Sequence, residues 1–279
     1  MALFEQLALA VLVVYALASL CGFAGLVGRV AMLRRAACLM AVGGFSLQTL
    51  AFLMGSHAAL PGGLSLGAYL QLLAWFLLFC GMLGWWKFKL EAPLLFAAPL
   101  AFLLAAVAHP FLHRQIVLPT QLSGHFYALH IGALFLSLAF IALALGAGLL
   151  FLYMHRKIKS KERLVGFQKD FPALSILDKI NALCVTIGFP LYTIGIGAGF
   201  VWSASVWGKT FSGDPKEITS LLVWLGFAVL FHQRLLRGWQ GRKPALFVIG
   251  LFALCVFSIV VVNTFLSTHH AFLPPISPR

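Results

Sequence analysis

Long apolar runs separated by short polar turns set the pattern of this chain. Runs of roughly 20 residues, enough for an α-helix to cross a hydrocarbon core of about 30 Å, fall at 6–27, 36–56, 65–86, 92–109, 126–153, 180–203, 217–236 and 245–267. Alternating segments of the kind that build barrels are absent, and backbone placed in lipid must satisfy its own polar groups. The pattern therefore predicts an all-α, polytopic integral membrane bundle of eight transmembrane helices. It divides into a four-helix part over 1–111 and a second part over 125–272, within one membrane domain.

Composition agrees with that picture and charge orients it. The chain is 62% hydrophobic and only 10% charged over 279 residues, too apolar for an ordinary soluble domain and too long for one span. The formal charge of +13 does not point to nucleic acid, because sixteen of the twenty Lys and Arg residues lie in the turns at 28–35, 87–91, 155–179 and 234–243. Only Arg114, Lys209, Lys216 and Arg279 lie on the other side. Under the positive-inside rule the sixteen-residue set is cytoplasmic, in a bacterial inner membrane, and both termini face the periplasmic, extracytoplasmic side. The N-terminal run carries Glu5 where a secretion signal would have a basic start, and reads as the first span. Cys21, Cys38, Cys80, Cys184 and Cys255 all sit in apolar runs with no redox or zinc spacing, and read as small buried hydrophobes.

One stretch breaks the apolar rhythm: Trp202 to Ser220, reading WSASVWGKTFSGDPKEITS, on the outward side. Asp214 followed by Pro215 and then Glu217 is a helix start, with Asp214 as N-cap and Glu217 completing a capping box. Trp202, Trp207 and Phe211 are rings at a membrane surface, where anchoring alone accounts for them as well as a ligand does. On the opposite side, FPALSILDKINAL has apolar residues at helical spacing and predicts an interfacial helix feeding the sixth span. Gly43, Gly44, Gly146, Gly148, Gly195 and Gly197 read as close-packing positions, and Gln48 and Gln71 as interhelical hydrogen-bond partners.

Most of the nine histidines fall near the outward ends of spans. His155 falls in the basic cytoplasmic loop, and His232 is an ionisable residue inside a span and so a functional candidate by default; at fifteen residues past Glu217 it lies about 22 Å along the helix, in the cytoplasmic half. His130 lies about one turn into the fifth span, and His270 just past the eighth. Two imidazoles flanking an aromatic strip with Lys209 and Lys216 suit an iron macrocycle: nitrogens on the iron, rings on its faces, cations for its carboxylates. Zinc is the competitor, but a closed zinc site wants four ligands at a spacing not found here.

The strip VWGKTFSGDPKEITSLLVW resembles the tryptophan-rich signature of the cytochrome c assembly membrane proteins, whose pattern is close to WGxxWxWDPKE and whose members include CcsA, CcmC and the HemX-like proteins. LHIGALFLSLAFIALALGAGLLFLY, before it, resembles the family's histidine-bearing helix. FHQRLLRGWQGRKPALFVIG and VVNTFLSTHHAF, after it, resemble the helix and turn that follow the signature and the family's last span. The resemblance covers about the last 155 residues, and the eight-span count suits CcsA and HemX-like members better than CcmC. Trp207, Gly208, Asp214, Pro215, Lys216 and Glu217 keep the signature. Its next two tryptophans are replaced by Phe211 and Gly213, a degenerate motif that leans towards the HemX-like branch.

What the resemblance implies is a haem b protein of cytochrome c biogenesis that presents or transports haem at the outer membrane face. It implies His130 and His270 as the two axial ligands there, with the loop 202–217 against the macrocycle, and His232 as the ligand of a second haem site within the membrane. The implied partners are haem, an apocytochrome c and a CcsB-type membrane subunit, besides membrane lipid. The chain shows no catalytic residue set of its own; at most it is part of a haem-attaching synthase complex. The alternatives are a HemX-like regulator of tetrapyrrole synthesis acting through its basic cytoplasmic loops, and a membrane protein that has lost haem binding.

Overall fold

The computed structural model describes residues 2–56, 66–112, 125–164 and 166–262. Among these residues eight α-helices form in the expected order: α1 (Ala2–Val27), α2 (Ala31–Ser56), α3 (Leu66–Phe88), α4 (Ala92–Ala108), α5 (His125–Lys159), α6 (Leu174–Trp207), α7 (Pro215–Leu236) and α8 (Arg242–Phe257). No strand occurs among the described residues. The first seven are long and apolar enough to cross a membrane. The eighth has 16 residues and is carried on by a five-residue π-helical stretch, Ser258–Val262. The chain is a polytopic helical membrane protein.

Neighbouring helices pair as α1 with α2, α3 with α4, and α5 with α6. Cross-helix bonds fix the sense of the last pair. His130 meets the Gly195 carbonyl, Ser137 Oγ donates to the Gly188 carbonyl at 2.8 Å, and Asn181 Nδ2 donates to the Ala144 carbonyl at 2.9 Å. Numbers rise along α5 as they fall along α6, so the two are antiparallel. Helix α5 also packs on α3 and α8, and 61% of its apolar window is enclosed by protein against 17% for α7. It is the central post, and α7 is the most peripheral of the later helices.

Small residues allow the close approaches, as expected where helices associate by packing in lipid. A β-carbon on Gly44 would come within 2.5 Å of the Tyr15 ring, on Gly146 within 2.6 Å of Phe96, and on Gly195 within 2.7 Å of Leu134. Gly148 makes ordinary contact with Ala245, whereas Gly43 and Gly197 meet nothing among the described residues, so those two are not packing positions there. Gln48 is the expected interhelical link: it accepts from the Tyr15 hydroxyl at 2.6 Å and donates to the Gln71 carbonyl at 2.9 Å. Gln71 enters that bond through its backbone.

The expected interfacial helix is instead the first turns of α6. From Leu174 the helix runs unbroken to Trp207, because Leu177 and Ile180 are buried in the bundle and Asp178 finds a cation there. Arg234 Nη1 lies 3.1 Å from Asp178, with only 5% of the Arg234 side chain exposed. Arg234 also donates to the Trp239 carbonyl and to Asn181, and Asp178 accepts from the Gly241 N–H at 2.9 Å. One part-buried ion pair thus ties α6, the end of α7 and the α7–α8 turn together. A second group, Arg29, Arg34, Glu91 and Asp170, joins the other basic turns at the same end of the bundle.

Candidate functional site: His130 beneath the 208–214 loop

The start of α7 follows from local sequence. Asp214 Oδ1 accepts from the Lys216 N–H at 2.7 Å, and Pro215 occupies the first helical position, where its missing N–H costs nothing. Glu217 reaches further back than a capping box requires. Its Oε2 accepts from Ser212 N–H at 2.8 Å and Gly213 N–H at 3.1 Å, which curls the loop over the helix end. Gly213 has φ +76°, a conformation that disfavours side chains with a β-carbon. The absence of a ring there therefore has a backbone reason in this chain.

The loop is shorter than expected. Helix α6 continues through Trp207 and is closed by Gly208 at φ +67°, so only Gly208 to Asp214 is non-helical. Trp202 is consequently a buried helix residue, 6% exposed. Its ring lies between Tyr127, 5.2 Å away between centroids, and His130, 6.4 Å away and 14° from parallel. Phe211, 51% exposed, and Lys209 face outward from the loop. The Trp207 side chain and all of His270 lie outside the described residues, as does their relation to His130.

His130 is held on both sides. Its Nδ1 is 2.7 Å from the Gly195 carbonyl; a carbonyl only accepts, so Nδ1 carries the proton, and in the neutral ring the lone pair is on Nε2. That is the tautomer a metal-binding imidazole uses, with the second ring nitrogen fixed by a backbone acceptor. Gly199, one turn after Gly195, makes room for the ring. No motif in the sequence distinguishes Gly199, which sequence reasoning missed; its spacing of four from Gly195, opposite a histidine, is the only signal that would have found it.

The two lysines differ. Lys216 Nζ donates to Ser258 at the carbonyl, 2.9 Å, and at Oγ, 3.2 Å, while Thr219 Oγ1 lies 3.0 Å from the same Oγ. Its ammonium thus serves the site where α8 changes to π-helical winding. A cavity of about 80 Å³ beside it is lined by His130, Ser203, Lys216, Glu217 and Ser220 among others. That holds a few waters, well short of the ~300–1,000 Å³ of small-molecule pockets. In donor chemistry the residues suit a haem iron at Nε2, but a macrocycle would have to lie outside this cavity.

His232 lies at the other end of the molecule. It is exposed on α7, one turn before the helix ends at Leu236, with Phe231 beside it at 6.5 Å. It shares an exposed stripe with Ile218, Leu222, Leu225, Val229 and Leu236. Among the described residues, then, His130 and His232 belong to two separate places.

Fold and site together define a helical membrane protein that holds a tautomer-fixed imidazole beneath a capped, aromatic-bearing loop. Residues 63–270 match the family model described as Cytochrome C assembly protein. The chain belongs to the cytochrome c assembly protein family. It is 48% identical over 88 residues to the cytochrome c biogenesis protein CcsA of Trichodesmium erythraeum (strain IMS101), covering 32% of this chain and 25% of that protein. With the CcsA of Gloeothece citriformis (strain PCC 7424) it shares 43% over 102 residues, 34% of this chain and 31% of the relative. With that of Mesostigma viride it shares 33% over 172 residues, 53% and 56% of the two chains. The chain spans from a quarter to just over half the length of these curated relatives.

Proposed function

We propose that this protein handles haem b in cytochrome c biogenesis, presenting it at the end of the bundle that carries the 208–214 loop. The observation that carries the reading is His130: its Nδ1 is bonded to the Gly195 carbonyl, so that Nε2 is the nitrogen available to a metal in the neutral ring. In this reading His130 and His270 would hold the haem iron, with Trp202 backing His130, Trp207 and Phe211 would supply rings to the macrocycle, and Lys209 would meet a carboxylate. Asp214 and Lys216 hold the loop and the α7–α8 contact. His232, exposed near the opposite end, belongs to a second haem site completed by a CcsB-type subunit.

Bound haem would supply the vinyl groups to which apocytochrome thiols add. The chain's own part is to bind, to orient and to keep Nδ1 of His130 protonated. Its basic turns face the cytoplasm of a bacterial inner membrane, and the loop faces the periplasmic side with both termini.

The test is the absorption spectrum of protein purified from haem-replete cells. A Soret band is expected in the native protein, lost in His130→Gly and restored by imidazole in the buffer. Colourless native protein, or a His130→Gly spectrum like the native one, would overturn the proposal.

A further inference from the structure

A second, roomier cavity than the one beside His130 lies at the basic end. It has a volume of about 690 Å³, within the range of built small-molecule sites. Its walls come from α4 and from the α5–α6 pair, closed at the end by the α3–α4 turn and by residues 170–172. They are mostly apolar, with Phe96, Leu143 and Leu150 as examples, and Pro99 inside α4 leaves the Leu95 carbonyl without its helical donor. Charge is confined to the mouth.

That charge is unevenly used. Glu91 is taken by Arg34 at 3.0 Å, and Asp170 lies between Arg29 at 3.5 Å and Arg34 at 3.6 Å. Lys89 also lines the cavity, is exposed, and pairs with no carboxylate among the described residues. Three cations thus face two carboxylates, and Lys89 is the one left over. Lys89 follows the last residue of α3, and Glu91 is the residue just before α4, so the uncompensated positive charge sits at the level of the helix ends.

We propose that this cavity is a binding site for an acidic phospholipid, with an acyl chain against Phe96, Leu143 and Leu150 and the phosphate at Lys89. Apolar depth and a cationic mouth at helix-end level fit a lipid of the membrane leaflet on the basic side. Among the described residues the walls carry no His, Cys or Met, so no imidazole or sulfur ligand is offered to iron. The Tyr153 hydroxyl in the wall is held by Gln168 Nε2 at 2.7 Å. The inference stands apart from the haem reading and survives its failure.

Full-length protein in detergent would be mixed with equal phosphatidylglycerol and phosphatidylcholine and the bound lipid counted by native mass spectrometry. One selective phosphatidylglycerol per chain is expected. Lys89→Gln should weaken it about fivefold, the effect of one basic residue near an anionic surface. Leu149→Trp, at a half-exposed wall position, should block the chain site and abolish retention. Lys159→Gln, an exposed cation outside the cavity, should leave retention unchanged, and thermal unfolding would check that each variant is folded.

Equal retention of the two lipids by native protein would overturn the proposal. So would equal losses from Lys89→Gln and Lys159→Gln, which would mean general attraction to a basic protein. Displacement of the bound phosphatidylglycerol by haemin would make the cavity a tetrapyrrole site and overturn the lipid assignment.

Discussion

Gly199 stands so close to His130 that a β-carbon there would meet Nδ1 at 2.5 Å, while the same Nδ1 is engaged by the Gly195 carbonyl one turn earlier on α6. The imidazole has no slack on that side. Gly199→Ala must therefore break the Gly195 bond or part α5 from α6, at about 1–3 kcal/mol for overpacking. The variant is expected to fold with a lowered unfolding midpoint and to lose the haem absorption assigned to His130. Gly197→Ala, meeting nothing among the described residues, should do neither. Matching spectra for the two alanines would show that the fit between Gly199 and the ring does not matter.

Glu217 and Asp214 divide the labour at the α7 start, and their losses should look different. Asp214→Ala removes one cap bond and is expected to cost about 1 kcal/mol of helix stability. Glu217→Ala frees the N–H groups of both Ser212 and Gly213, so its main effect should be on the loop. Hydrogen exchange at 208–213 is expected to speed up more in Glu217→Ala than in Asp214→Ala. The reverse order would mean that the loop is held by something other than this carboxylate.

Lys216 and Lys209 look alike in sequence, as the two outward cations of the strip, but only Lys216 is tied to another helix. Lys216→Met removes a charged donor from Ser258 at the π-helical end of α8, and should destabilise by roughly 1.5–3 kcal/mol. Lys209→Met should leave stability unchanged, because Lys209 contributes only its backbone carbonyl, accepting from Ser203 Oγ. If Lys209 meets a haem carboxylate, its methionine variant should weaken haem retention alone. Thermal unfolding and haem titration of the two variants separate these effects.

The eight helices were legible because each apolar run is long and each turn is polar, so local composition fixes them. The cap at Asp214 was legible for the same reason: its partner, the Lys216 N–H, is two residues away. The partners of Lys216, Asp178 and His130 were not. Ser258 is 42 residues from Lys216, Arg234 is 56 from Asp178, and Gly195 is 65 from His130. Only packing brings them together. The extent of α6 was misjudged at both ends. The interfacial helix expected at its start is held in the bundle by Asp178, whose partner Arg234 lies on another helix, and Trp202, expected in the loop, lies within the helix.

That part-buried pair gives the last prediction. Arg234 and Asp178 are withdrawn from water, and each also bonds to the α7–α8 turn, Arg234 at the Trp239 carbonyl and Asp178 at the Gly241 N–H. Removing one partner strands the other's charge, which typically costs about 3–5 kcal/mol, whereas removing both to apolar residues costs much less. Asp178→Leu alone should therefore lower the denaturant midpoint sharply, and adding Arg234→Met should recover part of the loss. Recovery should be incomplete, because the Trp239 carbonyl and Gly241 N–H stay without these partners. Limited proteolysis at 237–241 should follow the same order, fastest in the single variant. Strictly additive losses in the double variant would mean the two side chains act independently, and the ion pair would then not be what fixes the end of α7 beside His232.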